Sequence, residues 1–283
     1  MIRHRQGNDF LLITQDDHAR LSGRLAEHFG NDQFAAPLPH KQVIDAIAMH
    51  DCGWPLHDDS PTLNPAGLPL HVFESPISIS TQVWSEGVRQ AKAIDPYTGL
   101  LASLHVLALS ATVHTPDATV ADRDERRQEL FLLNQFQQDQ IELQDDLRRQ
   151  LGLRTDIPLR LGLAKPDATP RDEREDLLAF NYKLLRLMDR LSLELCCSEV
   201  LPWKIDSIPP RPSTEPVDMR VIRLGDGQVG VEPWPFSIDR LEFQVPFRRV
   251  LGAMFADVEA FRQAYGNARI ERLIVHVVRA TSH

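Results

Sequence analysis

"LLRLMDRLSLELCC", residues 184–197, places one aspartate in an apolar run. Leu178, Leu185, Asp189, Ser192 and Cys196 recur at helical intervals of three, four or seven. The spacing predicts a helix over 171–197 with a carboxylate on or beside its apolar face. "TPRDEREDLL" before it supplies a capping residue, a first-turn proline and early acids. An isolated ionised carboxylate is costly on an apolar face unless it is paired or binds a metal. Arg186 and Arg190 are the local pairing partners, so Asp189 is read either as an ion-paired residue or as a ligand.

A second stretch bears on that choice. "AIAMHDCGWPLHDDSP", residues 46–61, holds two His-Asp pairs. His50-Asp51 closes a helix predicted over 40–51, whose buried face is Val43, Ile44, Ile47 and Ala48 and whose stop is Gly53 and Pro55. The pair either caps that helix or ligates a metal. The segment 52–76 carries five prolines and reads as an ordered loop anchored by Trp54, Leu56, Leu63 and Phe73. His57-Asp58-Asp59 within it reads as loop polarity or as support that orients a ligand histidine.

Two more histidines sit on apolar helical stripes. His18 lies near Leu21, Leu25 and Phe29, in a helix capped by Thr14 or Asp16 and stopped by Gly30. His105 lies beside Leu101, Leu104 and Ala108 in a helix over 98–113. A hydrogen-bonded surface histidine and a satisfied core histidine are their respective alternatives. His71 and His114 are lesser candidates at the mouth. Imidazole nitrogens with carboxylate oxygens suit Zn, Fe, Mn or Mg, as one ion or two. The metal-ligand candidates are therefore His18, His50, Asp51, His105 and Asp189. An open coordination position would lower the pKa of a bound water that can attack a phosphoester. Arg3, Arg5 and Arg24 are either a solvated face or phosphate contacts, and Arg24 joins Asp51 and His105 as a candidate catalytic residue.

The remaining chain reads as a hairpin over 1–13 turning at "GN", a helix over 80–94, and a long amphipathic helix over 121–151. The segment 154–170 reads as a loop. After the breaker-rich "PWKIDSIPPRPSTEP", four strand-like runs follow: "MRVIRL", "QVGVEPWPF", "LEFQVPFRRV" and "IERLIVHVVRA". A short helix over 257–267 precedes the last. The expected class is α+β: a mainly helical region over 1–200, and an antiparallel sheet region over 201–283 that the N-terminal hairpin joins.

Composition narrows the functions. The 283 residues are 42% hydrophobic, enough for a large core. A net charge of -9 argues against duplex nucleic acid and anionic membranes as partners. Three cysteines, two of them adjacent, do not make a disulfide framework, and a reducing cytoplasm is the expected location. Cys196 and Cys197 read as core packing. No apolar run approaches the length of a spanning helix, and the N-terminus lacks a signal-peptide core. Dinucleotide, P-loop, nucleophile-elbow and Cys-x-x-Cys motifs do not occur. The exposed face of the 121–151 helix offers a homodimer surface.

The segments "LLITQDDHARLSGRLAEHFGN", "AIAMHDCGW", "DPYTGLLASLH" and "MDRLSLELC" resemble the uncharacterised bacterial family DUF3891 over nearly the whole chain. More distantly, the order His18, His50-Asp51, Asp189 is similar to the HD superfamily of helical metal-dependent phosphohydrolases. That resemblance implies an HD-like helical domain and hydrolysis of a small phosphoester or nucleotide through a metal-activated water. It puts His105 where some HD phosphodiesterases hold a second metal. The C-terminal sheet lies outside that comparison, and no clear lysine follows Asp51 as in the nucleotide-synthetase type. A non-catalytic small-ligand, metal-binding or interaction protein is the alternative. A diiron, oxygen-dependent enzyme is a further rival.

Overall fold

In a computed structural model, the described residues are 1–112, 123–155, 172–197, 207–225, 227–252 and 254–280. The chain opens with β1 (Ile2–Gln6) and β2 (Asp9–Ile13), paired antiparallel. Helices follow: α1 (Gln15–Ala26), α2 (His40–Ala48), the short α3 (Pro55–Asp58), α4 (Ile77–Ile94), α5 (Pro96–Thr112), α6 (Arg123–Leu151) and α7 (Glu173–Cys196). Strands β3 (Arg220–Gly225), β4 (Gln228–Glu232) and β5 (Arg240–Val250), helix α8 (Val258–Asn267) and strand β6 (Ile270–Arg279) complete the chain.

The helix ends follow from local chemistry. The Thr14 hydroxyl accepts the Asp17 amide at the start of α1. Asp172 does the same for Arg174 and Glu175 at the start of α7. Residues 169–171, where the sequence suggested the α7 cap, lie outside the described residues, as does His114.

One six-stranded sheet runs in the order β1-β2-β5-β6-β4-β3. Both ends of the chain therefore share it, as the sequence suggested. It is not wholly antiparallel: β6 inserts between β5 and β4 and runs parallel to β4. A strand pattern reports burial along each segment but not which neighbour it pairs with, so this crossover was not legible. The main core joins the inner face of the sheet, through Leu241, Val245, Val275 and Val277, to α1, α2, α5 and α7.

The 52–76 segment differs in its anchors. Trp54 is buried and Leu63 packs against the cluster of Met1, Phe10 and Leu12, as expected, but Leu56 and Phe73 are exposed. Polar contacts also hold the segment. Asp58 accepts the Gln15 amide, and Glu74 binds the Arg3 guanidinium through both oxygens. Among the described residues, no helix is long and apolar enough to cross a membrane.

Candidate metal centre

α1 packs against α2 and α7, and α5 packs against α2 and α7. Close backbone approach makes this possible. A Cβ at Gly23 in α1 would lie 2.5 Å from the Ala48 Cβ at the end of α2. Gly53, just past His50-Asp51, is tighter still: a Cβ there would lie 2.0 Å from the Val83 carbonyl oxygen of α4. The turn bearing His50 and Asp51 is thereby wedged between α1 and α4.

The five metal-ligand candidates meet here. His18, His50 and Asp51 each offer one ligand atom within 4.8 Å of the others, and His50, His105 and Asp189 do the same. His18 Nε2 lies 3.1 Å from Asp51 Oδ2 and 3.7 Å from Asp189 Oδ1. His50 Nε2 lies 3.4 Å from Asp189 Oδ1, and His105 Nε2 lies 3.8 Å from Asp189 Oδ2. The His50 ring stands nearly perpendicular to the rings of His18 and His105, each with its centroid 5.0 Å away. Asp189 thus faces three imidazoles, while Arg190 reaches Glu194.

Hydrogen bonds on the outer ring nitrogens fix how these histidines are presented. His50 Nδ1 lies 2.7 Å from the Ile47 carbonyl, which can only accept, so Nδ1 carries the proton. In the neutral ring the lone pair is then on Nε2, facing the carboxylates. His18 Nδ1 lies 2.6 Å from Ser192 Oγ, and that hydroxyl donates to the Asp189 carbonyl. His18 Nε2 lies in turn within hydrogen-bond distance of Asp51 Oδ2, so the ring bridges Ser192 and Asp51 through its two nitrogens. Asp51 is held by the Trp54 indole, which donates to Oδ1 at 3.1 Å.

The donor set fits a divalent ion. Among the described residues, His50 Nε2 and His105 Nε2 are buried and have no hydrogen-bond partner. Two carboxylates among neutral imidazoles carry two negative charges that need compensation. Without a metal, part of it comes from His50. Burial pushes its pKa down, but Asp51 and Asp189 more than offset this and raise it to about 9. Burial raises the carboxyl of Asp51, yet His50 and His18 hold it below the ordinary value. Burial likewise opposes ionisation of Asp189, and His50 and His105 outweigh it. His105 goes the other way: burial lowers it to about 4, against the pull of Asp189, so it is neutral at pH 7. Because the His50 Nε2 lone pair can serve one ion only, His50 belongs to one trio of ligands at a time.

The other candidates lie elsewhere. Arg24 donates to the Gln244 carbonyl at 2.9 Å and lies over the Phe243 ring, both on β5. Arg3 is engaged by Glu74 and Pro69, and Arg5 donates to the Gly7 carbonyl. Asp58 holds the start of α1 rather than orienting a ligand histidine. His71 caps the 3-10 turn Val72–Glu74 by accepting the Phe73 amide. Cys196 and Cys197 are buried and unbridged, as core packing requires.

The family described as "Protein of unknown function (DUF3891)" matches residues 1–251. The chain belongs to the DUF3891 family. All five clustered residues fall inside the span that DUF3891 matches, whereas α8 and β6 lie beyond it. No curated protein and no solved structure matches the chain.

Proposed function

We propose that this DUF3891 chain is a divalent-metal-binding protein, with the ion held by His18, His50, Asp51 and Asp189 and with His105 as an adjoining ligand. The observation that carries this is the pair of buried, unbonded Nε2 atoms of His50 and His105 facing buried carboxylates. Nitrogen and carboxylate donors favour Mn, Fe or Zn over a hard ion held by oxygen alone. The test is calorimetric titration of each ion into chelator-treated protein. Saturable binding that disappears in Asp189→Asn supports the assignment, and no binding of any ion refutes it.

A second reading is a metal-dependent phosphohydrolase acting on a small phosphoester or nucleotide. The observation favouring it is the exposure of Asp189, 15% against 0–3% for the three imidazoles. Asp189 is thus the member of the centre most accessible to solvent. The ligand order similar to HD enzymes points the same way, as analogy. A bound ion there would supply Lewis acidity and a water of lowered pKa. The chain's own residues would do the rest. Asp51, fixed by Trp54, holds its carboxylate in place and ionised. His105, neutral at pH 7, suits ligation or proton acceptance rather than proton donation. Hydrolysis of aryl phosphates and phosphodiesters with Mn, Fe or Zn tests this reading; no turnover with any of them leaves the binding protein.

A further inference from the structure

Two trios of candidate ligands share His50: one adds His18 and Asp51, the other His105 and Asp189. The choice between them rests on the members they do not share. In the first trio, His18 Nδ1 lies 2.6 Å from Ser192 Oγ, and His18 Nε2 lies 3.1 Å from Asp51 Oδ2. An ionised carboxylate only accepts, so the proton of that second contact sits on Nε2. A ring nitrogen that carries a proton has no lone pair for an ion. Asp51 is engaged at both oxygens, at Oδ2 by His18 and at Oδ1 by the Trp54 indole. An ion entering this trio must displace the His18 proton and break the bond between two of its own ligands.

The second trio requires no such exchange between its members. His105 Nε2 is buried and, among the described residues, has no hydrogen-bond partner. A buried polar atom without a partner is costly, and ligation relieves that cost. Asp189 spans the two imidazoles, with Oδ1 3.4 Å from His50 Nε2 and Oδ2 3.8 Å from His105 Nε2. Two ligands about 2.1 Å from one ion at the tetrahedral angle lie about 3.4 Å apart, close to these spacings. Asp189 is also the more accessible carboxylate, 15% exposed against 8% for Asp51.

We propose that an ion binds His50, His105 and Asp189 in preference to the trio containing His18, and that His18 is a positioning residue that ties Asp51 to Ser192 beside the ion. This rests on the metal-binding reading and ranks the ligands within it. His105 becomes a direct ligand of the favoured position, and the bond between His18 and Asp51 stays intact when the ion is bound.

The test is titration of Co(II) into the chelator-treated full chain, followed by the ion's visible absorption, which reports the ligands bound to it directly. His105→Gln should weaken Co(II) binding by more than about 100-fold, beyond the range for an outer partner, and alter the spectrum of any ion still bound. His18→Gln should weaken binding by only about tenfold and leave the wild-type spectrum unchanged. A changed spectrum in His18→Gln, or a loss there as large as in His105→Gln, overturns the proposal and leaves the metal-binding reading standing. No Co(II) binding by the wild type overturns both. Melting of the metal-free variants checks that they fold. Should His105→Gln fail to fold, the spectrum of His18→Gln decides; should His18→Gln fail, His105→Gln decides, and a loss of about tenfold or less there overturns the proposal.

Discussion

His50 Nε2 lies 3.4 Å from Asp189 Oδ1, although one residue follows α2 and the other sits within α7. Neither explains its burial alone. Together they form a charge pair whose remaining lone pairs converge with those of His18, Asp51 and His105.

Metal removal should therefore destabilise the protein. At an ion concentration about 100 times the dissociation constant, binding contributes about 2.7 kcal/mol. Thermal melts with and without chelator should show the difference. In Asp189→Asn the two melts should coincide, and a chelator-insensitive wild type would contradict the assignment.

Ser192 positions rather than ligates. Its hydroxyl lies 2.6 Å from His18 Nδ1 and donates to the Asp189 carbonyl. Ser192→Ala should weaken metal affinity by about 10-fold or more, the usual effect of losing an outer partner. Competition with a chromophoric chelator measures this. Melting of the metal-free variant, compared with metal-free wild type, separates lost positioning from lost folding.

Gly53 is the wedge behind the His-Asp turn. Any Cβ there meets the Val83 carbonyl and the Gly87 amide nitrogen. Gly53→Ala should cost about 1–3 kcal/mol, the range for overpacking. It should also lower metal affinity, because the turn must move. Urea unfolding and metal titration of one preparation test both consequences, and a neutral substitution would show that the turn is not wedged.

His71 predicts an acid-sensitive increment independent of the centre. It is buried as a cap, and burial lowers its pKa from 6.5 to about 3. Between those values the unfolded chain binds a proton that the folded chain does not. Stability linked to His71 is therefore complete above about pH 6.5 and falls as pH drops toward 3. His71→Asn, whose amide oxygen can replace Nδ1 as acceptor, should flatten the stability curve over that window. Chemical denaturation at pH 7 and pH 4.5 for both proteins reads this out.

Much of this was legible in the sequence because burial leaves a period. The stripes through His18, His105 and Asp189 identified three ligand candidates, and Gly53 with Pro55 marked the end of the segment carrying the other two. Ser192 was visible on the Asp189 stripe, but its role depends on α1 approaching α7, which one helix pattern cannot encode. Trp54 looked like an apolar anchor, and its indole also donates to Asp51. Arg24 was read with Arg3 and Arg5 as a solvated face or a phosphate contact, yet its helix turns it toward β5. The parallel β4–β6 pairing was hidden for the same reason: it is a long-range choice among strands with similar patterns.

The most direct measurement is elemental analysis of the protein as purified, beside a His50→Ala, Asp51→Ala double variant. The account predicts near-stoichiometric Mn, Fe or Zn in the wild type and its loss in a folded variant. No metal in the wild type, even after supplementation, or equal metal in both proteins, would contradict it.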